Sequence, residues 1–205
     1  MAGNAVVHIV DDDESLRTAL GRLFRSVGLA SKSYGSANDF INAPRLDEPG
    51  CIVLDVRMPG MSGIDFQAQL ATLGIRLPVV LMTGHGDIPM SVRAMKAGAI
   101  DFLSKPFRDQ DMLDAVAAAI DRDVKRRDAD AAAAELRDLY AALSPREQQV
   151  MILVTAGKMN KQVAGDLGIS EITVKIHRGS AMRKMGARTL ADLVRMAESL
   201  RLKPP

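Results

Sequence analysis

Three continuous apolar runs mark the first half of the chain: Val6-Val7-His8-Ile9-Val10, Cys51-Ile52-Val53-Leu54 and Leu77–Met82. Short runs of this kind, bounded by turn signals, predict strands buried on both faces. Ala30–Tyr34 and Ile100–Ser104 make five strand candidates. The polar stretch Ser31-Lys32-Ser33-Tyr34 marks the first of these two as an edge. Apolar positions at helical spacing predict helices over Glu14–Val27, Ala37–Asn42, Ile64–Leu73, Pro89–Ala97 and Asp109–Ile120. Gly28, Gly74 and Gly98 fall where three of them should stop. Regular alternation of strand and helix predicts an α/β fold with a five-stranded, doubly wound parallel sheet.

No Gly or Pro interrupts the chain from Asp109 to Ser144. Residues 121–143 mix charges of both signs and then run through an Ala/Asp tract. The pattern predicts that the last helix continues into a solvated helical connector, with a flexible linker as the alternative.

A different signature follows. Ser144-Pro145-Arg146-Glu147 combines a capping box with proline at the first helical position. It opens a helix to about Thr155. A second helix, Lys161–Leu167, takes Asn160 as its cap. A third starts at the Ser170 cap and ends at Gly186, and a fourth begins at Thr189 and carries the stripe Leu190, Leu193, Val194, Ala197 and Leu200. The short turn Gly168-Ile169-Ser170 between the second and third helices suggests a helix-turn-helix. The chain therefore divides into a front domain at 1–120, a linker at 121–143 and an all-α, four-helix domain at 144–205.

Charge sharpens this division. The overall +2 conceals a net charge of −3 over residues 1–120 and +6 over 144–205, so only the back half suits a polyanion. With 47% hydrophobic residues and no Trp, the cores must be aliphatic. The single cysteine, Cys51, sits within an apolar run and reads as a small core residue. No apolar stretch is long enough to span a membrane, and the first residues lack a signal-peptide pattern. The expected location is the cytoplasm.

The chemistry gathers at strand ends. Asp55 closes one apolar run, and Asp11, Asp12 and Asp13 close another. Parallel strands would bring these acids together in the crevice where open α/β sheets bind ligands. Clustered carboxylates need a cation, and oxygen-only donors suit Mg²⁺, or Mn²⁺ as an alternative. Asp12 and Asp55 would hold the metal, with Asp11 acting through water, while Asp13 reads as the cap of the first helix. Thr83 and Lys105 add a hydroxyl and an amine at later strand ends. Asp55 would then attack a phosphoryl donor, with Lys105 and the metal offsetting charge and Thr83 donating a hydrogen bond. Phe102 is either core or a movable aromatic. His85 is a loop histidine for which a base or ligand role is the less favoured reading.

Four segments carry a resemblance: Val10-Asp11-Asp12-Asp13, Leu54-Asp55-Val56-Arg57-Met58-Pro59-Gly60, Met82-Thr83-Gly84-His85-Gly86-Asp87 and Ala97–Phe107. They resemble the receiver domain of two-component response regulators. Leu143–Glu147, Asn160-Lys161 and Thr173-Val174-Lys175-Ile176-His177-Arg178 are similar to the LuxR-type effector domain. Together they resemble the FixJ/NarL family, in the branch of FixJ, StyR and TodT. The resemblance implies a flavodoxin-like receiver with Asp55 as phosphoacceptor, Asp11 and Asp12 as metal-site acids, and the Arg57 carbonyl as a further Mg²⁺ ligand. It also implies Thr83 and Lys105 as the conserved hydroxyl and lysine, and Phe102 as the switch aromatic. A sensor histidine kinase would be the phosphoryl source. Phosphorylation would pair receivers through the helix 4–strand 5–helix 5 face, so that a dimer binds promoter DNA to regulate transcription, with RNA polymerase as a further partner. No enzyme activity beyond slow self-dephosphorylation is implied.

In the third back-half helix, Val174, His177 or Arg178, Ala181 and Met185 should face the core, and Lys175, Ile176, Gly179, Ser180 and Arg183 the major groove. Lys161, Arg178 and Lys184 would meet phosphates. Two rivals stand beside this reading. One is a Mg²⁺-dependent aspartyl-phosphate phosphatase, against which Arg57 occupies the place of the acid/base partner. The other is a phosphorylation-independent DNA-binding protein whose receiver is a scaffold.

Overall fold

The computed structural model describes residues 5–44, 47–84 and 88–202. His85 and Asp87 lie outside the described residues. The chain forms two compact units, Met1–Arg127 and Asp128–Pro205.

The first unit contains the five strands β1 (Val6–Val10), β2 (Ala30–Tyr34), β3 (Gly50–Asp55), β4 (Val79–Thr83) and β5 (Asp101–Ser104). All neighbours are parallel, in the order β2-β1-β3-β4-β5. β3 and β4 are buried throughout, as their unbroken apolar runs require. Side chains alternate strictly between the two faces. Val7, Ile9, Cys51, Val53, Val80 and Met82 pack with Leu20 and Phe24 of α1 (Glu14–Ser26) and Met112 and Val116 of α5 (Asp109–Ala141). Val10, Ile52, Leu54 and Leu81 face the other way, toward Phe40 of α2 (Ala37–Asn42), Phe66 of α3 (Gly63–Leu70) and Ala94 of α4 (Ile88–Lys96). Burying each such side chain stabilises the fold by about 1.5–3 kcal/mol.

Several boundaries of this unit move by one residue from the sequence reading, and two move by two or three. α3 stops at Leu70 rather than Leu73, because Ala71–Gly74 closes as a turn and leaves Leu73 exposed. β4 starts at Val79 because the preceding Pro78 has no N–H to give, although its carbonyl accepts from Ile52 N.

α5 is 33 residues long. Asp123 on it is fully buried against the start of β3. Its carboxylate accepts from the backbone N–H of Gly50 (3.2 Å) and from Arg126 and Arg127, while Arg127 also donates to the Glu48 carbonyl. The buried acid is thus fully paired, which is the condition for tolerating it.

The second unit contains α6 (Pro145–Thr155), α7 (Asn160–Leu167), α8 (Glu171–Lys184) and α9 (Leu190–Ser199). Val150, Met151, Val163, Val174, Ala181, Met185 and Leu193 form its core, against which Leu136, Leu139 and Tyr140 of α5 pack. Asn160 is the first residue of α7 and not its cap. Met159 takes that position, and its N–H is satisfied by Gln162 Oε1 at 2.8 Å. Gly168 ends α7 in the left-handed conformation that glycine adopts without penalty.

Candidate functional site

Strand order reverses between β1 and β3, which lie side by side with Val10 opposite Leu54. The residues that follow, Asp11 and Asp55, therefore meet at the carboxyl edge of the sheet. Asp11 is 1% exposed and Asp55 4% exposed, while Asp12 is open to solvent. Oxygens of all three carboxylates lie within 4.8 Å of one another.

Lys105, just after β5, reaches across the sheet end. Its ammonium donates to Asp11 Oδ2 at 2.8 Å and Asp55 Oδ1 at 2.7 Å. The Lys105–Pro106 peptide is cis. The remaining oxygens are also held: Asp13 N–H donates to Asp11 Oδ1 and Arg57 N–H to Asp55 Oδ2, each at 2.8 Å. Arg17 donates to the Asp11 carbonyl at 2.6 Å, a contact that the sequence reading did not find. Burial pushes the Asp55 carboxyl above its ordinary value, and the charge of Asp11 adds to that against the pull of Lys105. Burial pulls the Lys105 ammonium down, but its two carboxylate partners outweigh this and leave it raised.

Thr83, at the end of β4, is fully buried, and Phe102 on β5 is half-buried against the α2–α3–α4 face. The donors of this cluster, two buried carboxylates and the exposed Asp12, are all oxygens and fit a hard divalent cation that keeps several waters. Asp13 caps α1, accepting from Ser15 N and Leu16 N.

In the second unit, Ser170 caps α8 through Thr173 N. Lys175, Ile176, Gly179 and Arg183 are exposed along one face of α8, and Lys161 is exposed on the first turn of α7. Ile172, 71% exposed and one turn before Ile176, extends that face. The spacing of four between Ile172 and Ile176 is visible in the sequence.

Ser180 departs from the expected outward face. Its hydroxyl donates to Glu147 Oε1 at 2.6 Å, and Lys184 Nζ donates to Glu147 Oε2 at 2.7 Å. Arg178 is half-buried, with Nη1 3.5 Å from Asn160 Oδ1. Glu147 thus closes the α6 capping box and ties α8 to it.

Lys184, Ser180 and the Ser144 N–H hold the Glu147 carboxyl down from 4.5 to about 2. A depressed acid stabilises the fold fully above its unfolded value, and that stability is lost as pH falls through the folded one. Protection of α8 amides from hydrogen exchange is therefore expected to fall between pH 4.5 and about 2. Glu147→Gln should flatten this dependence.

Residues 7–117 match the response regulator receiver domain, and residues 141–197 match the luxR family of bacterial regulatory proteins. The chain belongs to the response regulators. It is 59% identical to Nodulation protein W of Bradyrhizobium diazoefficiens over 196 residues, covering 96% of this chain and 86% of that protein. It is 47% identical to the response regulator protein TodT of Pseudomonas putida over 197 residues, covering 96% and 87%. The solved structure of the response regulator StyR superposes with a TM-score of 0.85 at 48% identity, covering 95% of this chain and 98% of that one.

This response regulator carries its acidic cluster inside the receiver match and its exposed basic helix inside the luxR match. Among its relatives is the transcriptional regulatory protein FixJ of Azorhizobium caulinodans, 45% identical over 191 residues, covering 93% of this chain and 90% of that protein. Among the described residues no helix is long and apolar enough to cross a membrane.

Proposed function

We propose that Asp55 accepts a phosphoryl group from a sensor histidine kinase and that this modification governs promoter binding by a pair of chains. The observation that carries the reading is Lys105 bridging Asp11 and Asp55 at the switch point of the sheet. An Asp55 carboxylate oxygen attacks the phosphorus of a phosphohistidine, the P–N bond breaks, and the imidazole leaves. Lys105 then pairs with the phosphoryl oxygens, and the Thr83 hydroxyl donates to one of them. The carboxylates of Asp11, Asp12 and Asp55 with the Arg57 carbonyl would hold Mg²⁺ or Mn²⁺, which supplies charge neutralisation to the transferring group when bound.

The kinase docks on α1, and hydrolysis of the acyl phosphate is slow. Movement of Thr83 lets Phe102 follow and shifts a pre-existing equilibrium at the α4–β5–α5 face. Val92 and Met95 on α4, 45% and 46% exposed, give that face apolar surface suited to a second receiver. Two DNA-binding units held together read two half-sites with the gain that effective concentration provides. Contact with RNA polymerase follows at the promoter, in the cytoplasm.

The test is to give the protein acetyl phosphate with Mg²⁺ and follow intact mass, oligomeric state and promoter affinity together. One phosphoryl group on Asp55, a shift to dimer and tighter binding are the expected results. An unmodified monomer at unchanged affinity would overturn the reading.

On α8, Lys175, Ile176, Gly179 and Arg183 face the major groove, with Lys161, Arg178 and Lys184 near phosphates and Ser180 contributing through Glu147. Lys175→Ala is expected to cost about 1–3 kcal/mol on promoter DNA and much less on random DNA. Competition gel shifts with both DNAs separate the two, and equal losses would show that Lys175 reads no base.

A further inference from the structure

The three most exposed large apolar side chains among the described residues all lie in the second unit: Ile172 at 71%, Met159 at 67% and Ile176 at 64%. Two of them share one helix. Ile172 and Ile176 stand four residues apart on α8, on one face and about 6 Å apart along its axis. Gly179 and Arg183, both exposed, continue the same row. Val174, Ala181 and Met185, which enter the core, run two positions out of phase, about 200° round the helix. Scattered apolar residues are ordinary on a surface, whereas adjoining ones mark a contact.

The setting of the pair selects its partner. Lys175 and Arg183 are exposed on the same helix, and residues 144–205 carry a net charge of +6. Glu171, the one acid of α8, precedes Ile172 and lies about 100° off the row. A purely apolar protein surface would leave these cations unpaired, and a polyanion supplies partners for them. Phosphates attract the cations without regard to sequence. The apolar group that a duplex presents in its major groove is the thymine C5-methyl. Gly179 adds to the fit. A Cβ there would meet nothing within 4 Å, so packing does not require the glycine, and its bare backbone lets the row approach the base edges closely.

We propose that Ile172 and Ile176 form an apolar reading pair for two thymine methyl groups, with Ile172 as a specificity-determining residue of the half-site. The pairing rests on the promoter-binding role proposed above and names what that role reads. Base pairs stack about 3.4 Å apart, so the spacing of the two side chains places the thymines within about two base-pair steps of each other.

The experiment starts with the full chain, treated with acetyl phosphate and Mg²⁺, selecting tight sites from a random duplex pool. Each thymine of the selected site is then replaced singly by deoxyuridine, which pairs as thymine does and lacks only the C5-methyl. Deoxyuridine at two neighbouring positions is expected to weaken binding about fourfold each, the worth of one buried methyl group. Ile172→Ala should remove the penalty at one position and Ile176→Ala at the other, while Lys175→Ala keeps both. Losses coupled in this way assign each methyl to its side chain. Both isoleucines are exposed, so thermal unfolding of the alanine variants should match that of the unsubstituted chain.

A selected site that tolerates deoxyuridine at every thymine would overturn the pair and leave the promoter-binding role standing. So would penalties that Ile172→Ala leaves unchanged, or a loss in that variant that is equal on every duplex. Failure to enrich any site would overturn the promoter-binding role itself and the pair with it.

Discussion

Asp55→Asn is expected to abolish phosphorylation outright while leaving the receiver folded. The amide is isosteric with the carboxylate and keeps an oxygen for the Arg57 N–H, but it lacks the nucleophile. Lys105 retains Asp11 as partner. Stability at neutral pH should be equal or higher. The Asp55 carboxyl is raised above its ordinary value by burial, so its ionised form is disfavoured in the folded state. That penalty is present above the folded value and vanishes below the unfolded one. The neutral amide therefore removes a cost at pH 7. Intact mass after acetyl phosphate treatment and a thermal unfolding curve check both halves. A variant that still gained a phosphoryl group, or one that unfolded at lower temperature, would contradict the role given to Asp55.

The second large effect concerns a residue with no chemistry of its own. A Cβ on Gly63 would lie 2.2 Å from the backbone carbonyl oxygen of Asp55 and 3.0 Å from its carbonyl carbon. Backbone cannot swing aside as a side chain can. Gly63→Ala is expected to cost about 3 kcal/mol through this overlap and to slow phosphorylation by displacing Asp55. Gly179→Ala is the contrasting case. It sits inside α8 with nothing within 4 Å of an added Cβ, so alanine should stabilise the second unit by about 1 kcal/mol. Urea unfolding of both variants, followed in each unit, measures the contrast.

The alternating faces of the sheet and the meeting of Asp11, Asp55 and Lys105 were legible in the sequence because both follow from local patterns plus one topological rule. Apolar runs mark buried strands, and polar residues at their ends mark the crevice. Partnerships across long separations were not legible. Nothing in Ser144–Glu147 says that the capping-box glutamate will also accept from Ser180, 33 residues away. The expected outward face of α8 was therefore wrong at Ser180. Asn160 failed as a cap for another reason. Asparagine is a favoured cap, but Gln162 could reach back only to Met159, and that set the helix start one residue earlier.

The buried Asp123 has a practical corollary for anyone wishing to dissect the molecule. A receiver fragment cut where the recognisable domain ends, near residue 117, would strip the Gly50 amide of its acceptor and the Glu48 carbonyl of Arg127. Such a piece begins its third strand with an orphaned N–H at the bottom of the sheet. Extending the fragment to Arg127 restores the clasp, so the useful place to cut lies well inside a helix rather than at its visible end.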